Sequence, residues 1–137
     1  MTRANLNPYL MFAGNAREAM EFYQQVLGGE LKLQKFGEAP GMPAPSEYED
    51  RIMHAHLDAD GVVIMASDES PGSAVKFGDN VNLSLVGSDA EGLTRVFNNL
   101  SDGGKVTTPL ARQFWGDTFG SLKDKFGINW MVNITTD

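Results

Sequence analysis

Gly14-Asn15-Ala16-Arg17-Glu18-Ala19-Met20-Glu21-Phe22-Tyr23 runs on through Val26 and Leu27 to Gly28-Gly29, and the chain carries a second version of it. That copy is Gly87-Ser88-Asp89-Ala90-Glu91-Gly92-Leu93, running on through Val96, Phe97 and Leu100 to Gly103-Gly104. Asn15 and Ser88 stand 73 apart (88 minus 15), as do Glu18 and Glu91 (91 minus 18). Each copy opens on a helix-capping residue with Glu three positions later, the capping-box spacing; Ser88 fits it strictly and Asn15 is a variant. Each then places apolar residues at helical spacing and ends in a Gly pair suited to a helix stop. A strand-like run precedes each copy: Asn7-Pro8-Tyr9-Leu10-Met11-Phe12 and Asn80-Val81-Asn82-Leu83-Ser84-Leu85. The same offset relates Asn7 to Asn80, Leu10 to Leu83 and Phe12 to Leu85. The pattern predicts a duplicated strand-helix unit, the alternative being two ordinary units alike by chance.

From these units the rest of the chain follows. Residues 6–13 are expected as a strand and 15–27 as a helix with Ala16, Ala19, Met20, Tyr23 and Leu27 on one stripe. Glu30 to Phe36 alternates as a short strand. Ile52 to Leu57 and Gly61 to Ala66 form a hairpin turning at Asp58-Ala59-Asp60-Gly61. Strand 80–86, helix 88–100 and strand 105–111 repeat the plan. Thr118 to Leu122, a turn at Asp124-Lys125-Phe126-Gly127 and Ile128 to Ile134 complete it, with Trp130, Val132 and Ile134 on one face of the last strand. The predicted fold class is α+β: two βαβββ modules, 1–68 and 80–137, joined by a linker at 69–79. Each packs its helix on one sheet face, leaving the other free to curve around a shared cavity.

The segment 37–50 differs. Pro40, Pro43 and Pro45 with Gly37 and Gly41 deny it regular structure. Glu38, Glu47, Glu49 and Asp50 keep it solvated, and Met42 and Tyr48 are its large apolar side chains. The reading is a lid that orders over a ligand, against a tolerated surface insertion.

Composition bounds the function. The chain has 137 residues, no Cys and a net charge of −7. It is long enough for a core without staples. Without Cys there is no disulfide, thiolate metal site or Cys nucleophile. The charge, with no Lys/Arg stripe, argues against nucleic acid as a partner. No apolar run reaches membrane-spanning length, so no membrane partner is expected. The N-terminal residues lack a signal-peptide pattern, and a cytoplasmic protein is expected.

Several residues are candidates for a site. His54 and His56, at i and i+2 of a strand, face one side and could bind a metal or move a proton; two ordinary sheet residues is the alternative. Asn80, Asn82 and Ser84 share one face of the fifth strand, and Asn129, Met131 and Asn133 one face of the last. Polar residues on sheet faces meet either water or a ligand. Trp115 and Phe119, each beside a Gly, could wall a pocket or serve core or dimer packing. Met53, Met65 and Met131 would add an adaptable apolar lining. No GxSxG hydrolase motif is present.

The paired βαβββ plan, with Phe22-Tyr23 late in the first helix and Leu27-Gly28-Gly29 after it, resembles the vicinal oxygen chelate superfamily of glyoxalase I, extradiol dioxygenases and bleomycin-resistance proteins. Pro8-Tyr9-Leu10-x-Phe12-x-Gly14-Asn15-Ala16, Met53-His54-Ala55, Met65-Ala66-Ser67-Asp68, Phe114-Trp115-Gly116 and Asp124-Lys125-Phe126-Gly127-Ile128-Asn129-Trp130 look like its PhnB-like branch. That branch often carries a demethylubiquinone methyltransferase label. No Gly-rich loop after a first strand supports methyl transfer here.

The resemblance implies a divalent metal held from the first and last strand of each unit. It puts those positions at Asn7, Met65, Asn80 and Met131, where neutral amides and thioethers stand in place of imidazole and carboxylate. Neither a metal nor any other cofactor is therefore expected. The leading expectation is a small-molecule-binding protein with the ligand in the inter-sheet cavity, working as a homodimer. One alternative is a glyoxalase- or dioxygenase-like enzyme with a site rebuilt at His54 and His56. A second is a dimer whose cavity is vestigial.

Overall fold

The computed structural model describes residues 4–38, 45–70 and 72–136. The chain divides into two compact units, Met1–Lys76 and Phe77–Asp137. Unit one runs β1 (Tyr9–Phe12), α1 (Ala16–Leu27), β2 (Glu30–Lys35), β3 (Ile52–Ala59), β4 (Val62–Asp68). Unit two runs β5 (Leu83–Gly87), α2 (Ala90–Ser101), β6 (Lys105–Arg112), β7 (Thr118–Lys123), β8 (Asn129–Ile134). Both are βαβββ, and both sheets have the same plan, β1-β4-β3-β2 and β5-β8-β7-β6, with the first and last strands parallel at one side. The α+β class and the two modules predicted from the repeat are what the chain forms.

In the first unit the helix-side face of the sheet is apolar by alternation. Phe12, Ile52, Ala55, Leu57, Ile64 and Ala66 meet Ala16, Ala19, Met20 and Tyr23 of α1, all of them buried. The alanines on both sides let helix and sheet approach closely, and each large side chain hidden contributes roughly 1.5–3 kcal/mol. In the second unit Phe97 and Leu100 of α2 share a core with Leu122, Trp130, Val132 and Ile134. Gly120 makes this possible: a Cβ there would stand 2.8 Å from the Phe97 ring. Trp130, Val132 and Ile134 form the buried face of β8, as their alternation predicts.

The hairpin is tighter than expected. Ala59 pairs with Val62, so the turn is the two residues Asp60-Gly61, with φ of 50° and 94°. Positive φ at both positions is the geometry that matches strand twist. Both strands gain length from it.

The helix starts depart from the capping-box reading. In α2 the N-cap is Asp89, not Ser88; its carboxylate accepts Gly92 N–H at 3.0 Å, a stronger acceptor than a hydroxyl. Asn15 makes no side-chain cap. Asp68, at the end of β4, replaces it: its Oδ1 accepts Gly14 N–H at 3.0 Å and Ala16 N–H at 2.9 Å, and its Oδ2 accepts Ile52 N–H at 2.8 Å. One buried carboxylate thus ties β4 to the start of α1 and of β3. α1 begins at Ala16 and α2 at Ala90, 74 apart (90 minus 16), one more than the offset of 73 read from the repeat.

The first strands are shorter than predicted. Asn7 lies ahead of β1, and Asn80 and Asn82 lie ahead of β5. Pro8 has no N–H to give a ladder, so pairing there is one-sided, with Pro8 O accepting Met65 N–H at 3.0 Å. Ahead of β5 the chain is held by a side chain instead: the Asn129 amide donates to Gly78 O at 3.0 Å and Val81 O at 3.5 Å.

The β2–β3 connection is anchored at both ends. Phe36 N–H donates to Arg51 O and Gly37 N–H to Glu49 O, both at 3.0 Å. Short 3-10 turns at Phe36–Glu38 and Ser46–Tyr48 stand where no regular element was expected. Tyr48 lies edge-on to Phe36, and the Arg51 guanidinium sits 4.4 Å over its ring. Those contacts hold it in the wall of the connection. Met42 and the rest of 39–44 lie outside the described residues.

Candidate ligand site

Each sheet has a second face that its own helix does not cover. In unit one, strand register brings its side chains into rows. Lys32 pairs with His56, His56 with Met65, and Met65 with Tyr9. Beside this row Gln34 pairs with His54, and the Tyr9 hydroxyl reaches His54 Nδ1 at 3.2 Å. His54 and His56 share a face, as their spacing predicts. With Lys32, Leu33 and Gln34 they line an open cavity of about 370 Å³.

In unit two the equivalent face carries Ser84, Met131 and Ser121 in one row and Val86, Asn133 and Phe119 in the next. Asn129 pairs with Lys123. The Asn133 amide donates to Asp117 Oδ2 at 2.9 Å, and Thr107 and Ser121 hydroxyls meet at 2.7 Å. Trp115 sits in the β6–β7 turn, its ring 6.1 Å from Phe119 and edge-on to the fully exposed Phe114.

The predicted residues therefore separate into groups. His54, His56 and Met65 come together on the first sheet; Ser84, Phe119, Met131, Asn133 and Asn129 on the second, with Trp115 at its end. Asn80 and Asn82 are exposed and off the strand, so they share no face with Ser84. Lys35 pairs with Ile52 and Gln34 with His54, which leaves Met53 as the unpaired, extra residue of a bulge beside His54. Sequence reading missed Tyr9, Lys32, Gln34 and Asp117. Alternation against Leu31 and Leu33 was the available signal for Lys32 and Gln34.

The four metal positions do not form a matched set. Leu10 beside Ala66 corresponds to Leu83 beside Trp130, which equates Met65 with Asn129 and Met131 with Ser67. Two neutral amides and two thioethers bring no charge to offset a divalent ion, and a thioether suits only soft ions, so the set does not fit a catalytic ion held by imidazole and carboxylate. Among the described residues no three His, Cys, Asp or Glu side chains are grouped to hold a metal. Among the same residues no helix is long and apolar enough to cross a membrane.

Comparison with known proteins agrees with the architecture. The family model described as 3-demethylubiquinone-9 3-methyltransferase matches residues 4–133. The protein YjdN of Escherichia coli K12 is 36% identical over 139 residues, covering 94% of both chains. The crystal structure of PA1353 from Pseudomonas aeruginosa superposes with a TM-score of 0.88 at 39% identity, over 98% of this chain and 100% of that one. A glyoxylase/bleomycin resistance protein/dioxygenase domain from Frankia shares the fold, with a TM-score of 0.67 at 13% identity over 98% and 99% of the two chains. The chain belongs to the 3-demethylubiquinone-9 3-methyltransferase family.

Proposed function

We propose that this protein binds a small organic molecule without a divalent metal, as a cytoplasmic homodimer. The observation that carries the reading is the face of each sheet opposite its own helix. There, polar and soft apolar side chains stand half-exposed: His54, His56 and Met65 in one unit, Met131, Asn133 and Phe119 in the other. A sheet face that only met solvent would not need two methionines and an aromatic. The family's methyltransferase description is not adopted, because neither unit has the open parallel sheet and Gly-rich turn that hold a nucleotide-like cofactor.

One observation favours an enzymatic reading as second choice. The Tyr9–His54 contact joins two groups able to exchange a proton on the lined face. Incubating any ligand found with the protein, and following it by mass spectrometry, separates turnover from binding.

A thermal-shift screen of small metabolites on metal-free protein tests the main reading. A ligand at a hundred times its Kd is expected to add about 2.7 kcal/mol of stability. Elemental analysis of the purified protein is expected to find no stoichiometric divalent ion, and light scattering a dimer mass. One zinc, nickel, manganese or iron per chain, with ligand response lost on chelation, would contradict the metal-independent reading. A complete absence of ligands would leave a dimer with a vestigial cavity.

A further inference from the structure

The polar groups lining the first-sheet cavity are all able to donate hydrogen bonds. Lys32 offers an ammonium, Gln34 a carboxamide, and His54 and His56 imidazole N–H groups. The Tyr9 hydroxyl meets His54 at Nδ1, 3.2 Å away, which leaves the Nε2 side of that ring for a ligand. Among the described residues no carboxylate lines the cavity. The carboxylates of this face, Glu30 and Asp58, are register partners of each other at one end of the β2–β3 pair. Glu30 reaches Lys32 at 3.6 Å, but both side chains are mostly exposed. Such a surface pair is weak and exchanges readily for a better-placed anion. This grouping runs against the trend of a chain whose net charge is −7 and which has only these two His.

We infer that this cavity takes the oxyanion of the ligand, a carboxylate or phosphate group, between Lys32, Gln34, His54 and His56. The inference rests on the small-molecule reading above and names the class of molecule. The ligand's anionic end lies toward Gln34 and His54, away from Glu30 and Asp58. Lys32 supplies the charge and the imidazoles supply directed donors.

The test uses four aromatic probes of similar size at matched ionic strength: phenyl phosphate, benzoate, benzyl alcohol and benzylamine. Binding is read from the imidazole resonances of His54 and His56. At least one anionic probe is expected to shift both rings saturably, about tenfold tighter than benzyl alcohol, as one added charged hydrogen bond implies. Phenyl phosphate binding tighter than benzoate identifies a phosphate site, and the reverse a carboxylate site. Lys32 is exposed, so Lys32→Gln should fold normally and weaken the anionic probe by about tenfold. Equal binding of benzyl alcohol or benzylamine at the imidazoles, or unchanged affinity in Lys32→Gln, overturns the inference. If a neutral probe instead perturbs Met131 without moving either His, the anion site falls while small-molecule binding stands. If neither the probes nor the wider screen bind, both fall.

Discussion

Asp68→Ala is expected to cost the first unit about 3–5 kcal/mol, enough to unfold a marginal module. The carboxylate is 2% exposed and accepts from three backbone groups, Gly14, Ala16 and Ile52. Truncation leaves the Ala16 and Ile52 N–H groups buried without a partner, and each such donor costs about 1–3 kcal/mol. It also removes the anion at the start of α1, where the helix dipole favours it. Asp68→Asn keeps the shape but turns one acceptor into a donor facing other donors, and should lose roughly 1–3 kcal/mol. Hydrogen exchange locates the damage. Protection should fall across β1, α1 and β3 while β7 and β8 keep theirs. A loss under 1 kcal/mol for Asp68→Ala would mean that water or a neighbour takes over the three donors.

Trp130→Ala should cost the second unit about 3–5 kcal/mol, the range for an aromatic removed from a core. Trp130 is 1% exposed, and its Nε1–H donates to Asp124 Oδ2 at 2.9 Å. Asp124 is buried as well and also accepts from Phe126 N–H at 2.9 Å and Ile128 N–H at 3.0 Å, closing the β7–β8 turn. The substitution therefore opens a cavity under α2 and removes one of the donors to Asp124. Trp130→Phe restores most of the volume but not the indole N–H, and should recover more than half of the loss. Urea unfolding of the three proteins measures this. Equal stability of Phe and Ala variants would assign the effect to the hydrogen bond rather than to packing.

These two carboxylates mark the limit of what the sequence reveals. Alternation and helical spacing are local, so the repeated βαβββ order, the Asp60-Gly61 turn and the buried face of Trp130, Val132 and Ile134 could all be read from neighbours in the chain. Asp68 acts on residues 54 and 52 positions earlier, Gly14 and Ala16. Nothing local distinguishes it from a solvated Asp, and the cap was credited to Asn15 instead. The Asn80–Asn82–Ser84 face failed for a similar reason. Period-two reading assumes the strand reaches back that far, whereas the Asn129 amide holds 78–81 off the ladder. On the lined face, His54 and His56 were legible from their own spacing. Tyr9, Lys32 and Gln34 join them only through strand pairing, which a single sequence does not state.

The most direct test of the central claim is a methionine-methyl and histidine-imidazole spectrum of metal-free protein, recorded with and without the strongest ligand from the thermal-shift screen. Met65 and Met131 stand on the sheet faces opposite the helices, while Met20, on the buried side of α1, is fully buried and serves as an internal control. Binding to one of these faces predicts saturable shifts at Met65 with His54 and His56, or at Met131, and a still Met20 signal. Ligand binding that moves none of these faces, or that appears only after a divalent metal is added, would contradict it.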